Sequence, residues 1–294
     1  MFFKKAKIIT HNGSFHADEV LAVVTISLAL GGRVKIIRTR DTEIIKTGDY
    51  VIDVGGIYDS DKNRFDHHQE GGAGRRESGI PYSSFGLVWK KFGKIIAGSQ
   101  EAADIIDKKI GAYIDAEDNG INTSVPVYDI NIYSFPQIIK TFRPGLKEKR
   151  TDDEGFLEAM QFAENILKRE IQKARDEFSA RSVAEHGYQA AEDKRIVVLE
   201  EHLPVSDMIM SHPEILFVIS PAKDGQWVVK AAQNKNTFEA RRGFPRPWWG
   251  KRGEEFTRIS GVPDAYYCHH SGNFMCLANS KEGAIRLAQI AANV

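Results

Sequence analysis

Side chains of the types that bind metal ions occur in four short segments in the first half of the chain. They follow predicted strands and comprise HNGSFHAD (residues 11–18), Asp53 at the end of YVID, FDHHQ (residues 65–69) and YIDAEDNG (residues 113–120). In an open α/β sheet, ligands bind in the crevice beyond the carboxyl ends of the strands, so we expect the four segments to converge. Imidazole and carboxylate ligands suit manganese, magnesium or iron(II), whereas structural zinc is usually held in thiolate-rich sites.

The number of carboxylates in these segments favours two divalent cations. Several acids in one pocket would repel one another and raise each other's pKa unless cations lay between them. Each segment also has a plainer interpretation, because a single Asp after a strand is usually a turn or cap residue. Adjacent histidines are more often partly buried polar side chains than ligands. The joint occurrence of all four segments along one predicted sheet favours a metal site.

The elements that must position these side chains are indicated by short β-branched runs that alternate with amphipathic stretches. The predicted strands are Ala6–Thr10, Val34–Arg38 and Tyr50–Val54. A buried helix is predicted over Asp18–Leu30, with Asp18 and Glu19 in its first turn, where acids suit the helix dipole. Two further helices are predicted through Gly86–Phe92 and over Ala102–Tyr113. This alternation predicts an α/β fold with a mostly parallel sheet.

The length of 294 residues suits two domains. Thr151 and Glu154 form a T-x-x-E capping box, after which apolar residues recur every three or four positions over about 30 residues. We therefore expect a metal-binding domain at residues 1–150, a connecting helix at 151–186 and a smaller α/β substrate-binding domain at 187–294. The last contains strand-like runs at 195–199, 215–219 and 226–231 and a final helix at 281–292.

The composition excludes several classes of protein. The 40 Lys and Arg residues balance the 40 Asp and Glu residues, so no overall field draws the chain onto nucleic acid or membrane. The only two cysteines, Cys268 and Cys276, exclude a disulfide scaffold. No apolar run is long enough to span a bilayer and no secretory signal is apparent, so we expect a cytoplasmic protein without a membrane partner.

A basic and aromatic segment in the second half is the predicted substrate reader. RRGFPRPWWGKR (residues 241–252) contains five basic residues, no acid, and three aromatic side chains. Guanidinium groups match phosphate oxygens in a bidentate manner, and aromatic faces can stack bases. We expect Arg241, Arg242, Arg246 and Trp248 to bind the substrate and to face the metal cleft. The alternative is a Pro-rich loop whose tryptophans simply pack on the domain.

The motifs taken together resemble the DHH phosphoesterase superfamily, which includes family II pyrophosphatases and oligoribonucleases. The closer resemblance is to its melanocyte-proliferating-gene (Myg-type) branch. It rests on THNGSFHADEVLA, DVGGIYD, RFDHHQ, SSFGLVW, DAEDNGI, FPRPWWGKRGEEFTRISGVPDA and HHSGNF…EGAIRLA, which occur in order over nearly the whole chain. The resemblance implies a DHH-type domain followed by a DHH-associated-like domain. It also implies a metal-dependent phosphodiesterase with exonuclease activity on RNA.

The resemblance further implies roles for individual residues. His11 and His16 would hold one metal, Asp18, His67 and Asp118 the second, and Asp53 would bridge the two. His68 would face the phosphate, and the loop His270-Ser271-Gly272 would bind it from the second domain. The superfamily loop usually reads His-x-x-x-Asp-x-Asp, whereas here His16 stands near the place of the first Asp. Asp115 competes with Asp118 for the last ligand position, and Asp118-Asn119-Gly120 is the better match to relatives.

The sequence therefore predicts a hydrolase with two divalent cations, manganese first and magnesium second, that acts on single-stranded RNA or short oligonucleotides. One alternative is a small-molecule phosphohydrolase, such as a pyrophosphatase or cyclic-dinucleotide hydrolase. The aromatic residues of 241–252 argue against a pyrophosphatase, because pyrophosphate offers no base to stack. Another alternative is a non-catalytic RNA-binding protein, which would have no need for two adjacent cations.

Overall fold

The chain folds into two compact units, Met1–Arg175 and Asp176–Val294. The computed structural model describes residues 5–125, 128, 130, 132–234, 237 and 239–294. The division between the units falls inside a single long helix, α7 (Asp152–Ala190). This helix begins at the capping box, where the Thr151 backbone N–H donates to the Glu154 carboxylate at 2.7 Å. Within the described part of the chain, no helix combines the length and the apolarity needed to cross a membrane.

The sheet of the first unit is mostly parallel. Its strands are β1 (Ala6–Thr10), β2 (Val34–Arg38), β3 (Tyr50–Ile52), β4 (Tyr58–Asp59) and β5 (Arg64–Phe65). They are arranged in the order β2-β1-β3-β5-β4, and only the β4–β5 pairing is antiparallel. The mostly parallel α/β fold is therefore confirmed. Its consequence is that the carboxyl ends of four strands lie along one edge of the sheet.

Helices cover this sheet and supply the rest of the core. They are α1 (Ala17–Ala29), α2 (Thr42–Lys46), α3 (Ser84–Ala97), α4 (Gln100–Ile106), α5 (Ala112–Asp118) and α6 (Phe135–Lys140), with a π-helical turn at Asp107–Gly111 between α4 and α5. The predicted helix over Ala102–Tyr113 thus lies in a longer, interrupted helical stretch. Helices α1 and α3 pack against each other, and buried side chains such as Val20 and Phe85 belong to one core with Ile8 and Phe156.

The second unit is built on a separate five-stranded sheet. Its strands are β6 (Ile196–Val198), β7 (Phe217–Pro221), β8 (Trp227–Ala231), β9 (Ala265–Cys268) and β10 (Met275–Ala278). Their order is β6-β7-β8-β10-β9, and only β6 and β7 run parallel. The helices are the end of α7, α8 (Ser206–Ser211), α9 (Gly253–Ser260) and α10 (Lys281–Asn293). The sequence analysis did not predict β9, β10 or α9.

Candidate metal centre

The predicted metal ligands line one cavity of about 850 Å³ in the first unit. This volume lies in the range of ligand sites, which is roughly 300–1,000 Å³. His11 directly follows β1, Asp53 follows β3, and the Asp66-His67-His68 triplet follows β5. The expectation that all four segments follow strands is wrong for the last one, because Asp118 is the final residue of helix α5. Helix α5 nevertheless brings this carboxylate to the same cavity, where it lies beside His67.

Asp53 lies at the centre of the cluster. Its carboxylate oxygens are 3.3 Å from His11 Nε2, 3.4 Å from His67 Nε2 and 3.4 Å from His68 Nδ1. Ser84 at the start of α3 donates a hydrogen bond to the same carboxylate at 3.0 Å. The backbone of Asp53 has a φ of 55°, a left-handed conformation that Asp tolerates better than most residues. This conformation turns the chain sharply out of β3 and into Gly55-Gly56.

The first turn of α1 contributes two buried carboxylates. Asp18 is 1% exposed, and neither of its oxygens has a hydrogen-bond donor among the described residues. Glu19 accepts the His16 backbone N–H at 2.8 Å, and one of its oxygens lies 3.1 Å from His11 Nε2. Burying an unpaired carboxylate is costly unless a cation or proton compensates it, so Asp18 points to a missing positive partner. Glu19 was taken only as a first-turn acid, although its position three residues after His16 is the signal for an N-cap partner.

The electrostatics of the cluster follow from burying acids and imidazoles together. Burial alone would raise the pKa of Asp53, but hydrogen bonds with His11 and His67 hold it well below its usual range. Against the opposing effect of burial, hydrogen bonds with Asp53 and Glu19 raise the pKa of His11 to about 10. Burial, followed by repulsion from Asp53 and Asp118, raises the pKa of Asp18 well above its usual value. The concentrated negative charge that raises the pKa of His11 and Asp18 also attracts divalent cations.

The ligand atoms form four groups of three residues, and the first two described here share no residue. One atom each from His11, His16 and Glu19 lie within 4.8 Å of one another, and so do atoms from Asp18, His67 and Asp118. Asp53 belongs to two further groups, one with Asp18 and Glu19 and one with His67 and His68. The donors are all imidazole nitrogens and carboxylate oxygens, a set suited to divalent cations such as manganese. The residues present could therefore hold metal ions, and Asp53 is the carboxylate placed between the two groups.

His68 differs from His11 and His67 because its side chain is 61% exposed, against 5% and 11% for theirs. Its Nδ1 lies 2.8 Å from the Asp66 carboxylate, which is itself buried and accepts the Gly56 backbone N–H. The hydrogen bond with Asp66 raises the pKa of His68 despite the opposing effect of partial burial. Asp66 thus orients the His68 ring and leaves Nε2 available to a ligand in the cavity.

Asp115 and Asp118 occupy different surroundings on the same helix. Asp115 is fully buried and accepts hydrogen bonds from the Ser83 hydroxyl at 2.6 Å and from the backbone N–H groups of Ser83 and Gly86. It also pairs with Arg76 Nε at 2.6 Å. Its oxygens are thus committed to the N-terminus of α3 and to Arg76. Asp118 instead lies 3.2 Å from His67 Nε2.

Comparison with known proteins identifies the family of this chain. A family model described as "MYG1_exonuc: Uncharacterised protein family (UPF0160)" matches residues 7–292. The chain belongs to the MYG1 family. The Myg-type resemblance is therefore confirmed, and it covers the motifs of both units.

Relatives in this family span most of the chain. The MYG1 exonuclease of Homo sapiens is 32% identical over 96% of this chain and 85% of its own length. The MYG1 protein C694.04c of Schizosaccharomyces pombe is 28% identical over 96% of each chain. The MYG1 protein of Chlamydia muridarum is 32% identical over 93% of this chain and 92% of its own length. No solved structure matches the chain.

In this MYG1-family chain, two of the predicted substrate-binding side chains are committed to the fold of the second unit. Trp248 is 3% exposed and packs in the core with Phe244 and Phe256, so the expectation that it stacks a base is wrong. The guanidinium of Arg241 donates to the backbone carbonyls of residues 209, 212 and 215 at 2.7–3.1 Å. Arg241 therefore fastens α8 and the residues after it, and the expectation that it grips phosphate is also corrected.

The other predicted positions in the second unit remain accessible or shape the loop. Arg242, Arg246 and His270 are exposed, and the Ser271 hydroxyl lies 2.9 Å from His269 Nδ1. Gly272 has a φ of 61° and lies so close to the Trp249 indole that a Cβ would collide with the ring. Its role in the structure is thus conformational.

The sequence analysis also missed cavity-lining residues outside the four segments. Arg40, which follows β2, and Lys140, the last residue of α6, both line the cavity. Neither belongs to a motif with metal-ligand types, so only the folded chain brings them to the site. The sequence analysis did not identify Ser84, which donates a hydrogen bond to Asp53.

Proposed function

We propose that this MYG1-family chain is a metal-dependent phosphodiesterase that acts as an exonuclease on single-stranded RNA or short oligonucleotides, on a DHH-type domain. The observation that carries the proposal is the position of Asp53. It is a single buried carboxylate within 3.4 Å of three histidines, between two groups of further ligands. The names of the human and rat relatives, each called MYG1 exonuclease, support the reaction class.

His11, His16 and Glu19 would hold one cation, Asp18, His67 and Asp118 the other, and Asp53 would bridge them. Bound there, two manganese or magnesium ions would lower the pKa of a water molecule and stabilise the attacking and leaving oxygens at phosphorus. Glu19 compensates for the carboxylate that His16 replaces in the superfamily loop. The Nδ1 atom of His11 lies 3.1 Å from the Asn12 carbonyl, which orients the ring and leaves Nε2 facing the proposed metal site.

His68 contributes the proton chemistry of the proposed reaction. Its Nδ1 faces Asp66 at 2.8 Å, so its Nε2–H is the group that points to the substrate. From there it donates a hydrogen bond to a phosphoryl oxygen or gives its proton to the leaving oxygen. The buried Asp66 stabilises the imidazolium form of His68 before the substrate binds.

The second unit contributes substrate binding in this proposal. Arg242 and Arg246 are exposed guanidinium groups suited to phosphate oxygens, and His270 lies on a loop whose shape is fixed by Gly272. Arg246 lies 6.0 Å from the Trp249 ring, and Trp249 is 36% exposed. An arginine beside a partly exposed indole suits one nucleotide, with charge for the phosphate and a face for the base.

A substrate panel with manganese tests the proposal. Purified protein is incubated with end-labelled single-stranded RNA, single-stranded DNA, dinucleotides and pyrophosphate, with EDTA as the metal-free control. We expect stepwise release of mononucleotides from RNA, dependent on manganese. An Asp61→Ala variant provides the matched control, because Asp61 is an exposed carboxylate away from the cavity. Hydrolysis of pyrophosphate alone would replace the proposal with a small-molecule phosphohydrolase, and RNA binding without cleavage would replace it with a binding protein.

A further inference from the structure

Two basic side chains, those of Arg40 and Lys140, line the metal cavity. Arg40 and Lys140 are both exposed, and neither side chain makes a hydrogen bond or ion pair within the described part of the chain. Other basic residues nearby behave differently. Arg38 pairs with Asp153 at 2.7 Å, and Arg76 pairs with Asp107 and Asp115. The cavity therefore has two cationic side chains that pair with none of the residues that the structure describes.

Strand order places Arg40 beside the metal ligands. The spatial strand order is β2-β1-β3-β5. The residues that follow the carboxyl ends of these strands are, in the same order along the sheet edge, Arg40, His11, Asp53 and the His67-His68 pair. Neighbouring strands are about 4.8 Å apart, so the end of β2 lies roughly 10 Å from the end of β3. Arg40 is thus on the flank opposite His68, at a distance that a long side chain and a phosphate group can bridge.

Lys140 approaches the same flank from α6. Arg143, three residues further on, donates from its Nε to the Phe15 carbonyl at 2.8 Å. Arg38, two residues before Arg40, donates to the Gly13 carbonyl at 2.5 Å. The chain segments that carry Arg40 and Lys140 are therefore both fastened to the loop between His11 and His16. Two different elements converge with unpaired positive charge on one side of the ligand cluster.

The charges of the cavity indicate what these cations bind. Glu19, Asp53 and Asp118 already have histidine partners, and the proposed metal ions would balance these carboxylates and that of Asp18. Arg40 and Lys140 are left to attract a second anion. A guanidinium fork together with an ammonium group is suited to a phosphate with several free oxygens.

We propose that Arg40 and Lys140 bind a second phosphate of the substrate, next to the phosphodiester that is cleaved. The inference rests on the proposed function and narrows its substrate class to short oligonucleotides that carry a further phosphate beside the scissile one. In this arrangement the scissile phosphate lies over Asp53. The second phosphate lies on the side of the cavity formed by β2 and α6. The leaving or attacking group lies on the opposite side, near His68. A terminal phosphate on a dinucleotide is then recognised as well as the diester.

Dinucleotides with and without a terminal phosphate test this subsite. The rate constant kcat/KM with manganese is measured for an unphosphorylated dinucleotide and for its 5′-phosphorylated and 3′-phosphorylated forms. We expect one phosphorylated form to be preferred by about ten- to a hundred-fold, the worth of hydrogen bonds between charged groups. Arg40→Ala, Lys140→Ala and the double variant should bring this preference close to one. Lys35→Ala removes an exposed charge from β2, the strand that precedes Arg40, but outside the cavity, and it should retain the preference.

A binding measurement separates this inference from the proposed function. Dinucleotides with a non-hydrolysable methylenephosphonate linkage, with and without the terminal phosphate, are titrated into wild type and variants in the presence of manganese. Tighter binding of a phosphorylated form that is lost in the double variant supports the subsite even if the protein cleaves nothing. No preference for either phosphorylated form, or a preference that survives in the double variant, overturns it.

Discussion

The Nε2 atom of His11 lies 3.3 Å from Oδ2 of Asp53. The register of the sheet explains this contact, because Ile8 pairs with Tyr50 and Ile9 with Val51 on the parallel strands β1 and β3. Continued by two residues, the same register sets the position of His11 opposite that of Asp53. The centre of the site is therefore built into the alignment of two neighbouring strands, and it does not depend on a flexible loop.

Replacing Asp53 should remove activity and leave the fold intact. We choose Asp53→Asn because Asn tolerates the left-handed backbone at this position, whereas Ala would add backbone strain. The variant loses the bridging charge, so we expect a loss of activity of more than about a thousand-fold, which corresponds to several kcal/mol of metal-dependent stabilisation. Metal content by mass spectrometry should fall with it, while the circular dichroism spectrum should match wild type. Normal turnover at saturating manganese would exclude the bridging role.

Asp18 should limit the stability of the metal-free protein. Its carboxylate is buried without a donor among the described residues, and Asp53 and Asp118 repel its charge. Because Asn is uncharged, Asp18→Asn should increase the free energy of unfolding in EDTA by about 1–3 kcal/mol. The same variant should lose the increase in Tm that manganese gives to wild type, because one ligand is gone. Thermal unfolding with EDTA and with manganese measures both effects. Asp61→Asn, at an exposed position, should change neither, and a destabilised Asp18→Asn would contradict the assignment.

Substitutions at Asp115 and Asp118 should have different effects, the first on stability and the second on metal binding. Asp115→Ala leaves Ser83, Gly86 and part of Arg76 without their buried partner, so we expect a loss of about 3–5 kcal/mol in unfolding free energy. Asp118→Ala should instead leave the Tm of the metal-free protein close to wild type. It should weaken manganese binding, measured by calorimetry. Equal stability of the two variants would mean that Asp115 is not the structural member of the pair.

Substitutions of the arginines in the second unit should also have different effects, with Arg241 contributing to stability and Arg242 and Arg246 to RNA binding. Arg241→Ala removes hydrogen bonds to three backbone carbonyls and should cost about 1–3 kcal/mol of stability. The double variant Arg242→Ala/Arg246→Ala should keep its Tm and bind single-stranded RNA more weakly. The slope of log K against log salt should become shallower by roughly one for each lost phosphate contact.

A matched control makes the RNA-binding experiment specific. Arg258→Ala/Arg286→Ala removes two exposed charges from the same unit and should leave the salt slope unchanged. RNA cleavage relative to bis-p-nitrophenyl phosphate cleavage should fall in the Arg242/Arg246 variant, since the small ester offers no strand to bind. If this ratio does not change, Arg242 and Arg246 do not read the substrate.

Much of the framework could be predicted from the sequence. The β-branched runs at 6–10 and 34–38 are strands with those bounds, and the periodicity after Thr151 marks a long helix. The order of the metal-ligand segments along a parallel sheet was also sufficient to predict that His11, Asp53 and His67 would converge. These features are local in origin, because side-chain periodicity and strand-end chemistry are set by neighbours in the chain.

Tertiary structure decided which of several chemically similar residues belongs to the site. Asp115 and Asp118 differ only in the direction each faces from one helix, and packing sends the first to Arg76 and the second to His67. The sequence predicts that Arg241 and Trp248 form part of a nucleic-acid-binding surface. In the fold, Arg241 instead donates to backbone carbonyls and Trp248 packs in the core of the second unit. Arg40 and Lys140 reach the cavity through contacts between distant segments. A sequence gives the chemistry of each side chain, but burial and available partners exist only once the chain has packed.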